Sequence, residues 1–430
     1  MKVLRVFSLT LFLSGGVLML GCTRTENVED SNSWFEEEIM VKCPIPEKEI
    51  EKVELTKVEQ SLVVEEKSFA LHLLSSLNVS NKDAGFVFSP LSLSLDLAMA
   101  ANGTTGDAGK EVLGVLGFNN DDFSQYNAYC KKVMEGLPAV DLGTRVKIAN
   151  AVIVDAAYPV KDAFKSMIAH DYYGVVESLP FQKWDFVRKR VNGWVSDCTE
   201  GLIPEILGDR EEGNAAYLLN ALYLKAKLSQ PFNKEQSYHA TFHAPTEDKS
   251  IVFMTDFFKV KFESNNYYSS ICLPLGNQKF GLRLYLPNEG VSLDDLLTQL
   301  QKEKVGVRHS ESYFNTNVVI PRINTSSEFT NMVPALKNLG ISGIFNPCFF
   351  EEMLEIDVPM VISDVLHVAK FSLDESGIEC AAATSIGVAG IAPPNLNTEY
   401  REFVADRPFV YLVQEQTSGT VLFAGIYKGE

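Results

Sequence analysis

The 430-residue chain has no excess of basic charge: 38 Lys and Arg face 56 Asp and Glu, a formal net charge of −18. A nucleic-acid binder needs a basic face to neutralise phosphate, so that class is excluded. Cysteine is scarce, seven in all, with no CxxC and no close pairing with His. No metal site is expected, since four-ligand zinc spacing is missing, and a dense disulfide framework is not indicated for a chain this long. The six His are scattered, and no GxSxG, HExxH, GxGxxG or Walker loop occurs. The chain is therefore expected to be neither an enzyme nor a cofactor carrier. It also lacks Pro-, Gly- or Ser-rich linkers and internal repeats, which favours one large domain.

One long apolar run exists, residues 6–20 (VFSLTLFLSGGVLML), behind Lys2 and Arg5. It is too short and too broken by Gly for a comfortable membrane span, and it has the shape of a secretory signal. Gly21-Cys22 at its end resembles a bacterial lipobox, although Met19-Leu20 departs from the commoner residues there. That resemblance implies a signal peptide over 1–21, lipid attachment at Cys22 and a place on the bacterial cell envelope. Outer-membrane placement facing the periplasm or the surface, or plain secretion, stays open. Residues 22–57 are rich in Glu, Asn, Ser and Lys and read as a flexible tether. The folded domain is expected over 58–430.

Within that domain, Leu62, Phe69, Leu73 and Leu77 recur at helical spacing, and 91–101 and 107–117 also read as helices. A further helix begins near Val191, with Trp194 and Val195 on its face, and breaks at Gly201. Strands are expected at 146–154, 216–224, 268–274, 280–286, 317–320, 365–373, 408–413 and 420–427. Helices dominate early and strands late, so the class is α+β with large sheets.

Residues 375–394 (ESGIECAAATSIGVAGIAPP) are unusual for a loop. From Cys380 to Ala392 there is no charge, Pro or aromatic residue, whereas loops favour polar and turn-forming side chains. Read with period two, one face carries Ile378, Cys380, Ala382, Thr384, Ile386 and Val388, and the other is polar or tiny. That is the pattern of a half-buried strand, stopped at Pro393-Pro394. Small residues near its start would slide between two existing strands with little steric cost.

This segment resembles the hinge and reactive loop of the serpins, the serine protease inhibitor family. Glu375, Gly377 and Ala381, Ala382, Ala383 and Thr384 match the hinge pattern, whereas Ile378 and Cys380 depart from it. Further matches run in order along the chain: Phe88-Ser89-Pro90-Leu91-Ser92, Gly103 to Gly106, Asn150-Ala151, Val191-Asn192 with Trp194-Val195 and Thr199 to Gly201, Asn220-Ala221 with Tyr223, Leu339 to Phe345, and Arg407-Pro408-Phe409 with Phe423-Ala424-Gly425. Departures include Leu228 where Trp is usual, Ala226 in place of Gly, and Gly85 in place of Asn.

The resemblance implies the serpin fold, about eight or nine helices around three β-sheets, with a reactive-centre loop over about 375–402. It implies a suicide substrate for a serine protease, held as a covalent acyl complex while the loop inserts into the central sheet. The chain is expected to be a monomer. Ser89, Ser92, Asn220 and His367 match the polar cluster beneath the place where that sheet parts. The reactive bond falls near Ile391-Ala392, with Val388, Ala389 and Gly390 as further candidates. None is Arg or Lys, so elastase-like or subtilisin-like proteases are favoured over trypsin-like ones, and papain-like cysteine proteases stay open. The alternative is a non-inhibitory serpin, a binding protein or protease substrate. Ile378, bulkier than the usual residue, is expected to slow insertion.

Overall fold

The computed structural model describes residues 44–120, 122–209, 215–303, 312–329, 331–362, 365–378 and 400–430. Eight α-helices occur among them: α1 (Lys57–Ser80), α2 (Pro90–Asn102), α3 (Asp107–Val115), α4 (Phe123–Ala139), α5 (Asp162–Asp171), α6 (Trp184–Cys198), α7 (Leu293–Lys302) and α8 (Val333–Asn338). The strands are β1 (Phe86–Phe88), β2 (Arg145–Asp155), β3 (Val175–Leu179), β4 (Ala216–Lys227), β5 (Tyr238–His243), β6 (Asp248–Ser264), β7 (Tyr268–Leu275), β8 (Phe280–Pro287), β9 (Ser312–Pro321), β10 (Ile323–Phe329), β11 (Cys348–Phe349), β12 (Pro359–Met360), β13 (His367–Asp374), β14 (Gly377–Ile378), β15 (Arg401–Val404), β16 (Phe409–Glu415) and β17 (Val421–Tyr427). They form three sheets: a six-stranded one in the order β10-β13-β14-β4-β2-β3, a nine-stranded one running from β1 through β17, β16, β8, β7, β6 and β9 to β15 with β5 beside β6, and the pair β11-β12. The α+β architecture expected from the sequence is the one found.

The six-stranded sheet positions the site, and its alternation explains why both faces are covered. Ile148 and Val152 of β2 and Leu222, Leu224 and Ala226 of β4 point into the main core, where α2 packs against β4. Ala149, Ala151 and Ile153 of β2 and Tyr217, Leu219 and Ala221 of β4 point the other way, into a second core closed by Val191, Trp194 and Val195 of α6. A strand buried on both faces reads as a nearly continuous apolar run, as 146–154 and 216–224 do. Helix α2 is buried all round, with every residue from Pro90 to Ala101 buried, so it needs no amphipathic stripe. Its start is fixed by Ser89, whose Oγ accepts from the amide of Ser92 at 3.1 Å, and by Pro90 in the first turn.

Two boundaries differ from the sequence expectation. The helix expected from Val191 starts earlier, at Trp184. The packed chain begins before residue 58: Ile50 N donates to Ala139 O at 2.9 Å, and Val53 is buried against Gly136 of α4. The apolar spacing of Ile50 and Val53 is too short to register as a period. Cys22 lies outside the described residues.

Candidate functional site

Strand β13 ends at Asp374, and the chain turns back at once. Asp374 Oδ1 accepts from the amides of Ser376 at 2.7 Å and Gly377 at 3.2 Å, the side-chain-to-backbone closure that Asp favours in turns. The returning residues form β14, antiparallel to both neighbours. Leu373 faces Ile378 and Asp374 faces Gly377 on one side. Lys227 faces Gly377 and Ala226 faces Ile378 on the other. Among the described residues β13 and β4 are joined only through this two-residue wedge.

The wedge is built for close approach. Gly377 has φ 141°, and a Cβ there would lie 2.3 Å from Ala226 O, so only Gly fits without displacement. The amide of Leu228 donates to Ser376 O, and that of Phe232 to Glu375 O, both at 2.9 Å. Ile378 is 2% exposed and belongs to the main core. Its register partner on β4 is the small Ala226. Leu228 is buried and bridges to Leu275, occupying the place where a larger aromatic was expected. Gly85 packs against the C-terminal residue, and a Cβ on it would meet Ile426 O at 2.6 Å.

Glu375 sits beneath the turn, buried, with Oε1 accepting from Ser237 Oγ at 2.6 Å and from Arg322 at 3.0 Å (Nε) and 2.5 Å (Nη2). Burial raises the carboxyl pKa, but the Arg322 and Ser237 hydrogen bonds outweigh it, and the group is held below the usual carboxylate range. Arg322 and Ser237 were not foreseen. They lie 53 and 138 residues from Glu375, and nothing local in the sequence signals the pairing.

Further down the sheet lies the polar cluster. The amide of Ser89 donates to His367 Nε2 at 3.0 Å, and Ser89, Ser92 and His367 are all buried. Asn220, the fourth expected member, turns instead to β2. Its Nδ2 donates to Asn150 Oδ1 at 2.6 Å, and Asn150 in turn donates to Tyr172 O. Asn220 Oδ1 is buried with no partner among the described residues. His367 on β13 and Asn220 on β4 therefore flank the same interval of the sheet from opposite sides. Of the expected hinge, Glu375, Gly377 and Ile378 are placed. Cys380, Ala381, Ala382, Ala383 and Thr384, and the candidate reactive-bond residues Val388, Ala389, Gly390, Ile391 and Ala392, lie outside the described residues. Among the described residues no group of three His, Cys, Asp or Glu converges as a metal site would require.

Comparison with known proteins bears on the family and the fold. Residues 65–428 match the family model Serpin (serine protease inhibitor). The chain belongs to the serpin family. It is 31% identical to Serpin-Z1C of Triticum aestivum, over 83% of this chain and 93% of that protein. It is 27% identical to a serine protease inhibitor of Cyanea capillata, over 83% and 95%. Among solved structures, tengpin, a thermophilic serpin in its native state, superposes with a TM-score of 0.76 at 20% identity, covering 90% of this chain and 97% of that one. Serpin48 of Tenebrio molitor superposes with a TM-score of 0.75 at 23% identity, covering 86% and 98%. Serpins are in general protease inhibitors, not catalysts.

Proposed function

We propose that this serpin is a suicide-substrate inhibitor of serine proteases that traps its target by drawing the cleaved loop into the six-stranded sheet. The observation that carries the reading is β14: the chain leaving β13 already pairs with both β13 and β4. In the trap, a protease serine attacks the carbonyl of the reactive bond. The amine of the following residue leaves with a proton, and an ester joins the enzyme to the loop. The freed strand then inserts behind Ile378. About ten residues gaining net hydrogen bonds of about 1 kcal/mol each supply on the order of 10 kcal/mol, before side-chain burial. That drive displaces the bound protease before water cleaves the ester.

Ile391-Ala392 is the proposed reactive bond, with Val388, Ala389 and Gly390 as the other positions within register. The absence of Arg and Lys there favours an apolar specificity pocket, elastase-like or subtilisin-like. The test mixes the protein with pancreatic elastase, subtilisin, trypsin and papain and denatures the products. A band at the summed mass that survives boiling supports the trap. Cleavage between 388 and 392 without that band sinks it and leaves a substrate or a non-inhibitory binding protein. The lipobox-like Gly21-Cys22 supports anchoring of this inhibitor to a bacterial envelope through Cys22. Mass spectrometry of the N-terminal peptide tests that, and an unmodified Cys22 overturns it.

A further inference from the structure

Glu200 takes a left-handed backbone conformation, φ 54°, that side chains other than Gly, Asn and Asp seldom adopt. It follows the C-terminal end of α6, between Thr199 and Gly201. Its carboxylate reaches two strands of the six-stranded sheet. On β2, Arg145 Nη1 donates to both oxygens, at 2.7 and 2.8 Å, and Lys147 Nζ stands 2.8 Å from Oε1. On β4, the buried Tyr223 donates its hydroxyl to Oε2 at 3.1 Å. The bonds from Lys147, Arg145 and Tyr223, Lys147 foremost, hold the carboxyl pKa at about 2 against the cost of burial, so Glu200 is ionised. A strained residue that is held in place by its contacts is an observed outlier from which a role can be inferred.

The end of α6 is tied down where an entering strand arrives. After Gly201 the chain doubles back along α6. Asn192 Oδ1 accepts from the amides of Ile206 at 3.0 Å and Leu207 at 2.9 Å, and Trp184 Nε1 donates to Gly208 O at 3.0 Å. Ile203 and Leu207 of this return segment belong to the second core, and Leu366 and Val368, at the start of β13, pack against that core too. The second core therefore spans the interval between β4 and β13 on the α6 side. A strand inserted there sets every second side chain on that side and has to part the core. Tyr223 is three residues along β4 from Ala226, the partner of Ile378, so the tie lies about 10 Å from the wedge. It is partly exposed, Arg145 at 58% and Glu200 at 28% of the side chain, and such a pair breaks at modest cost. We propose that Glu200 is a positioning residue for loop insertion: it fastens α6 and its return segment to β2 and β4, and its release is part of the barrier that the entering strand crosses. It thereby sets the division between trapped enzyme and cleaved inhibitor. The proposal rests on the inhibitor reading above, and its test separates the two.

Glu200→Gln keeps an acceptor and loses the charge, Glu200→Gly suits the backbone and loses the tie, and Arg145→Gln cuts the same tie from β2. The full chain and these variants are mixed with pancreatic elastase and with subtilisin. Rapid quench gives the rate of loop cleavage, and gels give the ratio of covalent complex to cleaved inhibitor. The change in Trp fluorescence after cleavage times insertion, since two of the three Trp lie in α6. The expected result is an unchanged rate of cleavage, with insertion about fivefold faster in each variant and the ratio of complex to cleaved inhibitor raised or already complete. Covalent complex in the unsubstituted chain with unchanged or slower insertion in both Glu200 variants, whatever their melting temperatures, overturns the proposal and leaves the trap standing, because Glu200 then only braces the fold. Faster insertion in the variants while no protein forms covalent complex sustains the proposal and sinks the trap. Cleavage of the unsubstituted chain with neither a fluorescence change nor a rise in melting temperature overturns both.

Discussion

His367 Nε2 accepts the backbone amide of Ser89 at 3.0 Å, so the imidazole is neutral and carries its proton on Nδ1. Burial enforces the same state, pushing the His367 pKa down from 6.5 to about 4. Because the folded value is the lower one, the unfolded chain takes up the proton first as pH falls. Stability is full above about 6.5, declines between about 6.5 and about 4, and is level for this group below that. The window corresponds to about 3 kcal/mol. Urea midpoints measured across it should fall in the unsubstituted protein and stay flatter in His367→Gln. An equal slope in both would show that another group controls the loss.

Gly377 admits no side chain, since a Cβ would stand 2.3 Å from Ala226 O and 2.7 Å from Leu228 N. Gly377→Ala should therefore expel the wedge from between β13 and β4 and lower stability by about 2 kcal/mol or more. Calorimetry measures the loss, and hydrogen exchange at the amide of Leu228, which donates to Ser376 O, reports the opening. Unchanged protection there would mean the wedge stays seated.

The strands on either side of the hinge were legible, β13 by its alternation and β4 as a nearly continuous apolar run. Of the alternating segment from Ile378 only its first residue is described, and Ile378 joins the main core. Helix α4 escaped notice although Tyr126, Cys130, Val133 and Leu137 recur at helical spacing, because charged and small residues interrupt the stripe. Strand β6 runs 17 residues and pairs with β5 and β9 before turning to β7. Its aromatic residues fall on both faces, so no single alternation marks it. The contacts that hold Glu375, from Ser237 and Arg322, come from separate strands and loops and are fixed only by the assembled sheets. Asn220 was grouped with His367 by resemblance; its Nδ2 donates to Asn150 of β2, and its Oδ1 has no partner among the described residues.

Continuing the β14 register down the sheet predicts where the loop would lie after cleavage. Positions that pair as Leu373 with Ile378 and Ala226 with Ile378 bring Thr384 level with His367 on one side and Asn220 on the other. The Thr384 hydroxyl would meet the buried Asn220 Oδ1 that has no partner among the described residues. Thr384→Arg would force an unpaired charge into that place, an uncompensated burial that costs several kcal/mol. Loop cleavage should raise the melting temperature of the unsubstituted protein and fail to do so in Thr384→Arg, which would be cut by elastase as a plain substrate. A variant that still traps the enzyme would show that insertion stops short of His367 or follows another register.

The described residues before α1 strap onto the domain. Leu142 N donates to Glu49 Oε2 at 3.2 Å, Asn277 Nδ2 to Glu49 Oε1 at 3.3 Å, and Lys279 Nζ to Glu51 O. Val53 is 7% exposed, and a Cβ on Gly136 would stand 2.7 Å from its Cγ2. Thr56 then caps α1, its Oγ1 accepting from Glu59 N while the Glu59 carboxylate accepts from Thr56 N. The turn the strap holds also touches the mouth of the six-stranded sheet, through Gly276 N donating to Lys227 O at 2.8 Å. A chain starting at residue 58 loses the buried Val53, the cap and these ties, about 2 to 4 kcal/mol together, whereas a chain starting at residue 45 keeps them. The shorter chain should melt several degrees lower in calorimetry, and Val53→Ala in the longer one should reproduce about 1 to 2 kcal/mol of the difference. Equal melting temperatures for the two truncations would mean that the strap rests on the domain without stabilising it, and the folded unit would begin at α1.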